Sequence, residues 1–175
     1  KNSWRYSKFP QYKAARIAAR SLRTPKEMEE AEIFISVFND FVEFLKNKTR
    51  CTVLHADRIE GDDFIARWIQ IHPNAEHIIL SGDSDFVQLL DENVSIYNGM
   101  AKLHITSSKI IDEKDQIMAF SVDSGKIKLG KPDKDFVPDQ DWFKKLLFIK
   151  IIRGDDGIFS AYPGARLKGT SKKVG

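Results

Sequence analysis

Two short acidic runs hold the residue types best suited to chemistry. Ile59-Glu60-Gly61-Asp62-Asp63 and Ser81-Gly82-Asp83-Ser84-Asp85-Phe86 supply five carboxylates between Glu60 and Asp85. Five anions aimed at one crevice repel each other strongly unless cations lie between them. Oxygen-only donors suit Mg²⁺ or Mn²⁺ rather than zinc, and the four His and single Cys offer no zinc-type spacing. One Asp at a helix start is ordinarily a cap that takes up free N–H groups. Two such clusters, each set after an apolar run, shift the balance toward a ligand role. A pair of divalent ions roughly 3.5–4 Å apart activates a water and stabilises the leaving oxygen in phosphodiester hydrolysis.

The surrounding pattern says how these acids are positioned. Cys51 to Ala56 and His77 to Leu80 read as strands, the second fully apolar as in a buried parallel sheet. Asp62 to about Ile71 and Ser84 to Leu90 read as the helices that follow them, with Phe64, Ile65, Trp68 and Ile69 facing inward. Both clusters thus fall at carboxyl ends of strands, where open α/β sheets bind ligands. Val94–Tyr97 and Lys102–Thr106 are expected strands around a turn at Asn98-Gly99. Residues 107–138 have a weak pattern, a loop or hairpin insertion. Asp139 to about Ile152 reads as a helix, with Trp142, Phe143, Leu146, Leu147, Ile149 and Ile151 mostly buried. The alternation predicts an α/β fold with a mostly parallel sheet flanked by helices.

Upstream of the acids the chain is basic and helical. Pro10 opens a helical segment from Gln11 to about Leu22, on which Lys13, Arg16, Arg20 and Arg23 recur at three- and four-residue steps and share a face. Thr24-Pro25-Lys26-Glu27 is a capping box with Pro at the first helical position. The helix it opens runs to about Asn47, and Ala31, Phe34, Phe38, Phe41 and Leu45 form a stripe read as core.

The formal net charge of +3 over 175 residues hides an asymmetry. Lys1 to Arg23 has seven Lys/Arg and no acid; Asp57 to Glu92 has nine Asp/Glu and two Arg; Arg166 to Gly175 has four Lys/Arg and no acid. Basic arms on either side of a cation site suit a phosphate polyanion, with Lys13 and Arg16 neutralising the scissile phosphate. No apolar run is long enough to span a membrane, the start is no signal peptide, and a lone Cys51 fits a reducing cytoplasm. The chain opens without Met and closes on Lys172-Lys173-Val174-Gly175, as a fragment or processed form would. An apolar fraction of 42% suffices for a core.

Taken together, Trp4-Arg5, Pro10-x-Tyr12-Lys13-x-x-Arg16, the two acidic runs and Arg153-Gly154-Asp155 resemble the phage 5′-to-3′ exonuclease and flap-endonuclease family. That resemblance implies a PIN-like, Rossmann-type nuclease domain over residues 1–153, with a helical arch at about 8–47. Residues 154–175 would start a helix–three-turn–helix DNA-binding element. It implies Glu60, Asp62 and Asp63 as the central acidic cluster among the metal residues, with Glu60, Asp62 and Asp83 binding or orienting the catalytic metal and Asp85 and Asp155 nearer a second, both ions being Mg²⁺ or Mn²⁺. Lys13 and Arg16 would be the catalytic basic pair, and Arg5, Arg20, Lys168, Lys172 and Lys173 would meet DNA. A K⁺ ion at the helix–three-turn–helix is a further family feature. The implied partners are DNA with 5′ flaps or ends and RNA/DNA hybrid, with a replication protein as a further partner. The protein would be a monomer in the cytoplasm, that of the host cell if phage-encoded. The family ordinarily has Gly-Asp-x-x-Asp-Asn at its last motif, whereas here Gly154-Asp155-Asp156-Gly157 runs into Ile158-Phe159. An Asp-bearing N-terminal strand of the family also has no counterpart in this chain.

Two other classes compete. A branched-DNA-binding module would use the basic segments without cutting. A PIN-type ribonuclease would share the acids but lack the long basic arch. A phosphatase reading of Asp83-Ser84-Asp85 leaves the arch unexplained, and Arg153-Gly154-Asp155 as an adhesion motif is a chance match.

Overall fold

The computed structural model describes Arg5, Ser7 and residues 14–153, with side chains of the helical residues 14–16 and of Arg153 excepted. The chain divides into two compact units, Lys1–Phe64 and Ile65–Gly175.

Two helices dominate the described part of the first unit. Helix α1 spans Ala14–Ser21 and helix α2 Pro25–Lys48. The capping box forms as the sequence predicts. The Glu27 N–H donates to Thr24 Oγ1 at 3.3 Å, and the Glu27 carboxylate accepts the Thr24 backbone N–H at 2.7 Å. The stripe of α2 departs from expectation, because the helix has no buried residue. Phe34 is 69% exposed, and Phe38 and Phe41 each 54%. Ile33, Phe34, Ile35, Val37 and Phe38 follow one another almost without interruption, so apolar side chains circle the helix instead of lying on one side. The strand expected at Cys51–Ala56 is also absent: this stretch is irregular. Strand propensity becomes a strand only where a ladder satisfies the backbone groups.

Helix α3 spans Gly61–Ile71. The second unit then builds a sheet in the order β1 (His77–Leu80), β2 (Val94–Asn98), β3 (Leu103–Ile105), β4 (Ile110–Ile111). β1 and β2 pair in parallel, with His77 opposite Val94; β2–β3 and β3–β4 are antiparallel. The sheet is therefore mixed rather than mostly parallel. The 3₁₀ helix Ser84–Leu89 lies in the crossover from β1 to β2.

Residues 118–132 form a hairpin, β5 (Met118–Asp123) and β6 (Lys126–Pro132). Ser124 and Gly125 have φ of 55° and 76°, the left-handed pair demanded by a two-residue hairpin turn. Asn98 and Gly99 begin a longer turn than expected. Asn98 Oδ1 accepts the N–H groups of Met100 and Ala101 at 3.2 and 3.0 Å. Helix α4 (Trp142–Arg153) follows.

The core of the second unit gathers Ile79, Ile96, Ile105 and Ile110 from the sheet, Phe86 and Val87 from the 3₁₀ helix, Phe120 from β5, and Trp142 and Leu146 from α4. Trp142 is pinned in place: its Nε1–H donates to the Ser107 carbonyl at 2.9 Å, and Phe120 and Phe143 pack edge-on against its ring. Only one face of β1 enters this core, since Ile78 and Leu80 are exposed. The fully buried strand suggested by His77-Ile78-Ile79-Leu80 is thus an alternating one. Trp68 and Ile151 are likewise exposed, against expectation. Trp68 instead lies against the His72 ring, centroids 4.3 Å apart. No described helix is long and apolar enough to cross a membrane.

Candidate nuclease site

The first acidic run lies at the start of α3. Its local structure follows from helix-end chemistry, since free N–H groups attract carboxylates. The Asp63 carboxylate reaches back to accept the Glu60 N–H at 3.3 Å, and the Glu60 carbonyl accepts from the N–H groups of Asp63 and Phe64. Arg5 meets the same carboxylate bidentately, Nη1 and Nη2 donating to the two Asp63 oxygens at 2.9 and 2.8 Å. Arg5 Nη1 is 3.7 Å from Glu60 Oε2. A forked guanidinium–carboxylate pair is the strong form of this contact. Arg5 is therefore placed at the acids. Asp62, one residue along, is exposed.

The second run follows β1. Asp83 caps the 3₁₀ helix, its Oδ1 accepting the Asp85 N–H at 2.9 Å, while the Asp83 N–H donates to Ser81 Oγ at 3.0 Å. Asp85 points to α4: Lys150 Nζ donates to Asp85 Oδ1 at 2.5 Å and to Ser84 Oγ at 2.7 Å. Beside Asp83 opens a pocket of about 280 Å³. Ser81, Gly82, Ser84, Asn98 and Lys126 line it together with the apolar Ile96, Leu103, Ile105 and Ile127.

Glu60, Asp62 and Asp63 thus belong to the first unit, and Asp83 and Asp85 to the second. Among the described residues no group of three or more His, Cys, Asp or Glu stands close enough to hold a metal ion. The donors themselves suit one: they are carboxylate oxygens, the chemistry Mg²⁺ and Mn²⁺ prefer. Arg20 sits in the last turn of α1 and is exposed. Arg16 is in α1, but its side chain lies outside the described residues, as do Lys13, Asp155, Lys168, Lys172 and Lys173.

Lys150, which bonds Asp85, is a residue that sequence reasoning did not single out. Its signal was legible: it falls four residues after Leu146 and seven after Phe143, so an ionisable group stands on the inward stripe of an apolar helix.

Comparison with curated proteins and with solved structures yields no match. Residues 1–119 match the N-terminal resolvase-like domain of 5′-3′ exonucleases, a stretch that includes α1 to α3, both acidic runs and the four-stranded sheet. The chain belongs to the family of 5′-3′ exonuclease N-terminal, resolvase-like domains, a nuclease family acting on nucleic acid.

Proposed function

We propose that this chain is the catalytic part of a structure-specific 5′ nuclease. It would cut DNA or RNA/DNA phosphodiesters at flaps and ends during replication or repair. The observation that carries this reading is the family match over residues 1–119, which includes Glu60-Gly61-Asp62-Asp63 and Asp83-Ser84-Asp85. Glu60, Asp62, Asp63, Asp83, Asp85 and Asp155 are the carboxylates that would serve as ligands to divalent ions, Mg²⁺ or Mn²⁺. Such ions, when bound, lower the pKa of an attacking water and stabilise the leaving oxygen. The protein's own residues supply the rest. Lys13 and Arg16 would neutralise the scissile phosphate, and Arg20, exposed on α1, would meet a neighbouring phosphate. Residues 8–47 would form the arch over a single-stranded 5′ end. Residues 154–175 would begin a duplex-binding helix–three-turn–helix, with Lys168, Lys172 and Lys173 on phosphates and a K⁺ ion held there.

A 5′-labelled flap substrate with Mg²⁺ tests the proposal. Release of a labelled short product, abolished in EDTA and in Asp83→Asn, is expected. An unchanged cleavage rate in Asp83→Asn overturns the assigned role. Tight, salt-sensitive flap binding with no product under any divalent ion would identify a non-catalytic DNA-binding module. Cleavage of single-stranded RNA with the flap left intact would identify a PIN-type ribonuclease.

A further inference from the structure

Asp85 stands in the acidic run, yet its nearest cation belongs to the protein. Lys150 approaches from α4 with its Nζ at 2.5 Å from Asp85 Oδ1, and a second bond to Ser84 Oγ at 2.7 Å fixes the direction of approach. The side chain of Lys150 is only 21% exposed, while that of Asp85 is 44% exposed. The lysine stem is held on two sides. Val87, Phe143 and Leu146 line the small gap it shares with the 3₁₀ helix. On the other side the hairpin turn comes close: a Cβ added at Gly125 would lie 3.4 Å from Lys150 Cγ. Glycine there gives the left-handed turn.

We infer that Lys150 is a resident counter-ion for Asp85. It positions the carboxylate while no metal is bound and competes with a divalent ion for it. Lys150 is a positioning residue, since it reaches the reacting centre only through Asp85. Three features support this role over that of an incidental surface pair. The lysine side chain is mostly enclosed, its other partner is a hydroxyl that accepts a hydrogen bond and cannot neutralise charge, and the Asp85 side chain stays partly exposed to solvent. A divalent ion approaching that side meets a carboxylate already sharing one oxygen with a cation, and a positive charge behind it. The metal nearer Asp85 should therefore be the weaker one, and Lys150 should set how weak. An ammonium that gives way to a metal also keeps the acidic run from repelling itself apart in the metal-free protein.

This rests on the nuclease reading, because it takes Asp85 to be a metal ligand. The test is Mn²⁺ titration of the full chain, followed by electron paramagnetic resonance, on the wild type and on Lys150→Met, Lys150→Arg and Asp85→Asn. The Asp85-dependent site, identified by its loss in Asp85→Asn, should tighten by about 10-fold in Lys150→Met, the scale of change found when a metal's outer partners are altered. It should stay near the wild-type affinity in the charge-keeping Lys150→Arg. Thermal unfolding gives the second readout. Lys150→Met should melt below the wild type in EDTA, and the deficit should close at saturating Mn²⁺, when metal replaces the missing ammonium. An unchanged Mn²⁺ affinity in Lys150→Met overturns the inference, as does a melting deficit independent of Mn²⁺. A wild type with no Asp85-dependent site overturns it together with the metal assignment. Normal Mn²⁺ binding without flap cleavage overturns only the proposed function.

Discussion

The Asp83 carboxylate accepts the Asp85 N–H and caps the 3₁₀ helix, and the same carboxylate is proposed to hold metal. One substitution separates the two roles. Asparagine caps a helix about as well as aspartate but brings no charge, so Asp83→Asn should unfold within about 0.5 kcal/mol of the wild type. Its cleavage of a flap should fall by more than about 100-fold, since a direct ligand matters more than the outer partners whose loss costs 10–100-fold. Denaturant melts alongside single-turnover cleavage check both halves; equal loss of stability and rate would assign Asp83 to structure alone. Asp63 divides its attention similarly, between the Glu60 N–H and the forked guanidinium of Arg5. At this scale the two acidic runs stand out by type and spacing, and each opens a helix as expected. Which side chains pair with these acids was not legible, because Arg5 lies 58 positions from Asp63 and Lys150 lies 65 from Asp85. Neither spacing repeats with a helix or strand period, so nothing local in the sequence connects them. The clearest core prediction is likewise a single residue. Trp142 is 2% exposed, bonded through Nε1 and ringed by Phe120 and Phe143. Trp142→Ala should cost about 3–5 kcal/mol in a chemical-denaturation curve.

Element by element, the best-read features were those whose signals are local. The capping box of Thr24 and Glu27, the Pro25 start and the helix to residue 48 follow from neighbouring residues alone. The structure reproduces them. The strand at Cys51–Ala56 failed because a strand is defined by partners elsewhere in the chain, and β1 proved half exposed for the same reason. The stripe of α2 failed differently, since apolar residues on a helix record a preference for burial without recording what covers them. The cap of α2 carries a pH dependence whose sign follows from its bonds. The backbone N–H and then the hydroxyl of Thr24 hold the Glu27 carboxyl below its ordinary value. A carboxyl lowered in the folded state contributes its stabilisation above its unfolded pKa and loses it as pH falls through the folded one. The start of α2 should therefore loosen below the usual carboxylate range. Glu27→Gln should remove that dependence, while Thr24→Ala should cost about 1 kcal/mol at neutral pH. Amide hydrogen exchange across residues 25–29, followed from neutral to acid pH in the three proteins, reads this directly; protection in the wild type that ignores pH would show that Glu27 plays no part in the cap.

Across the whole molecule, charge is segregated by sequence: seven Lys/Arg without an acid from Lys1 to Arg23, then nine Asp/Glu against two Arg from Asp57 to Glu92. A polyanionic substrate is drawn by the first segment and repelled by the second. Bound divalent cations would remove part of that repulsion, so metal and DNA should help each other bind. The coupling is reciprocal by thermodynamic necessity, whichever ligand is added first. Ca²⁺ offers a test without turnover if it fills the oxygen sites while failing to support cleavage. Flap binding, measured by fluorescence anisotropy at fixed ionic strength, should tighten by about 5–150-fold from EDTA to saturating Ca²⁺, the usual span of such couplings. Asp62→Asn and Asp83→Asn should each narrow that span, because they remove repulsion and metal binding together. Replacing Arg16 and Arg20 with Ala should leave the span intact but make the dependence of log affinity on log salt shallower, by about 0.9 for each phosphate no longer neutralised. Flap affinity that is the same in EDTA and Ca²⁺ would mean that the acidic segment and the DNA do not share a site.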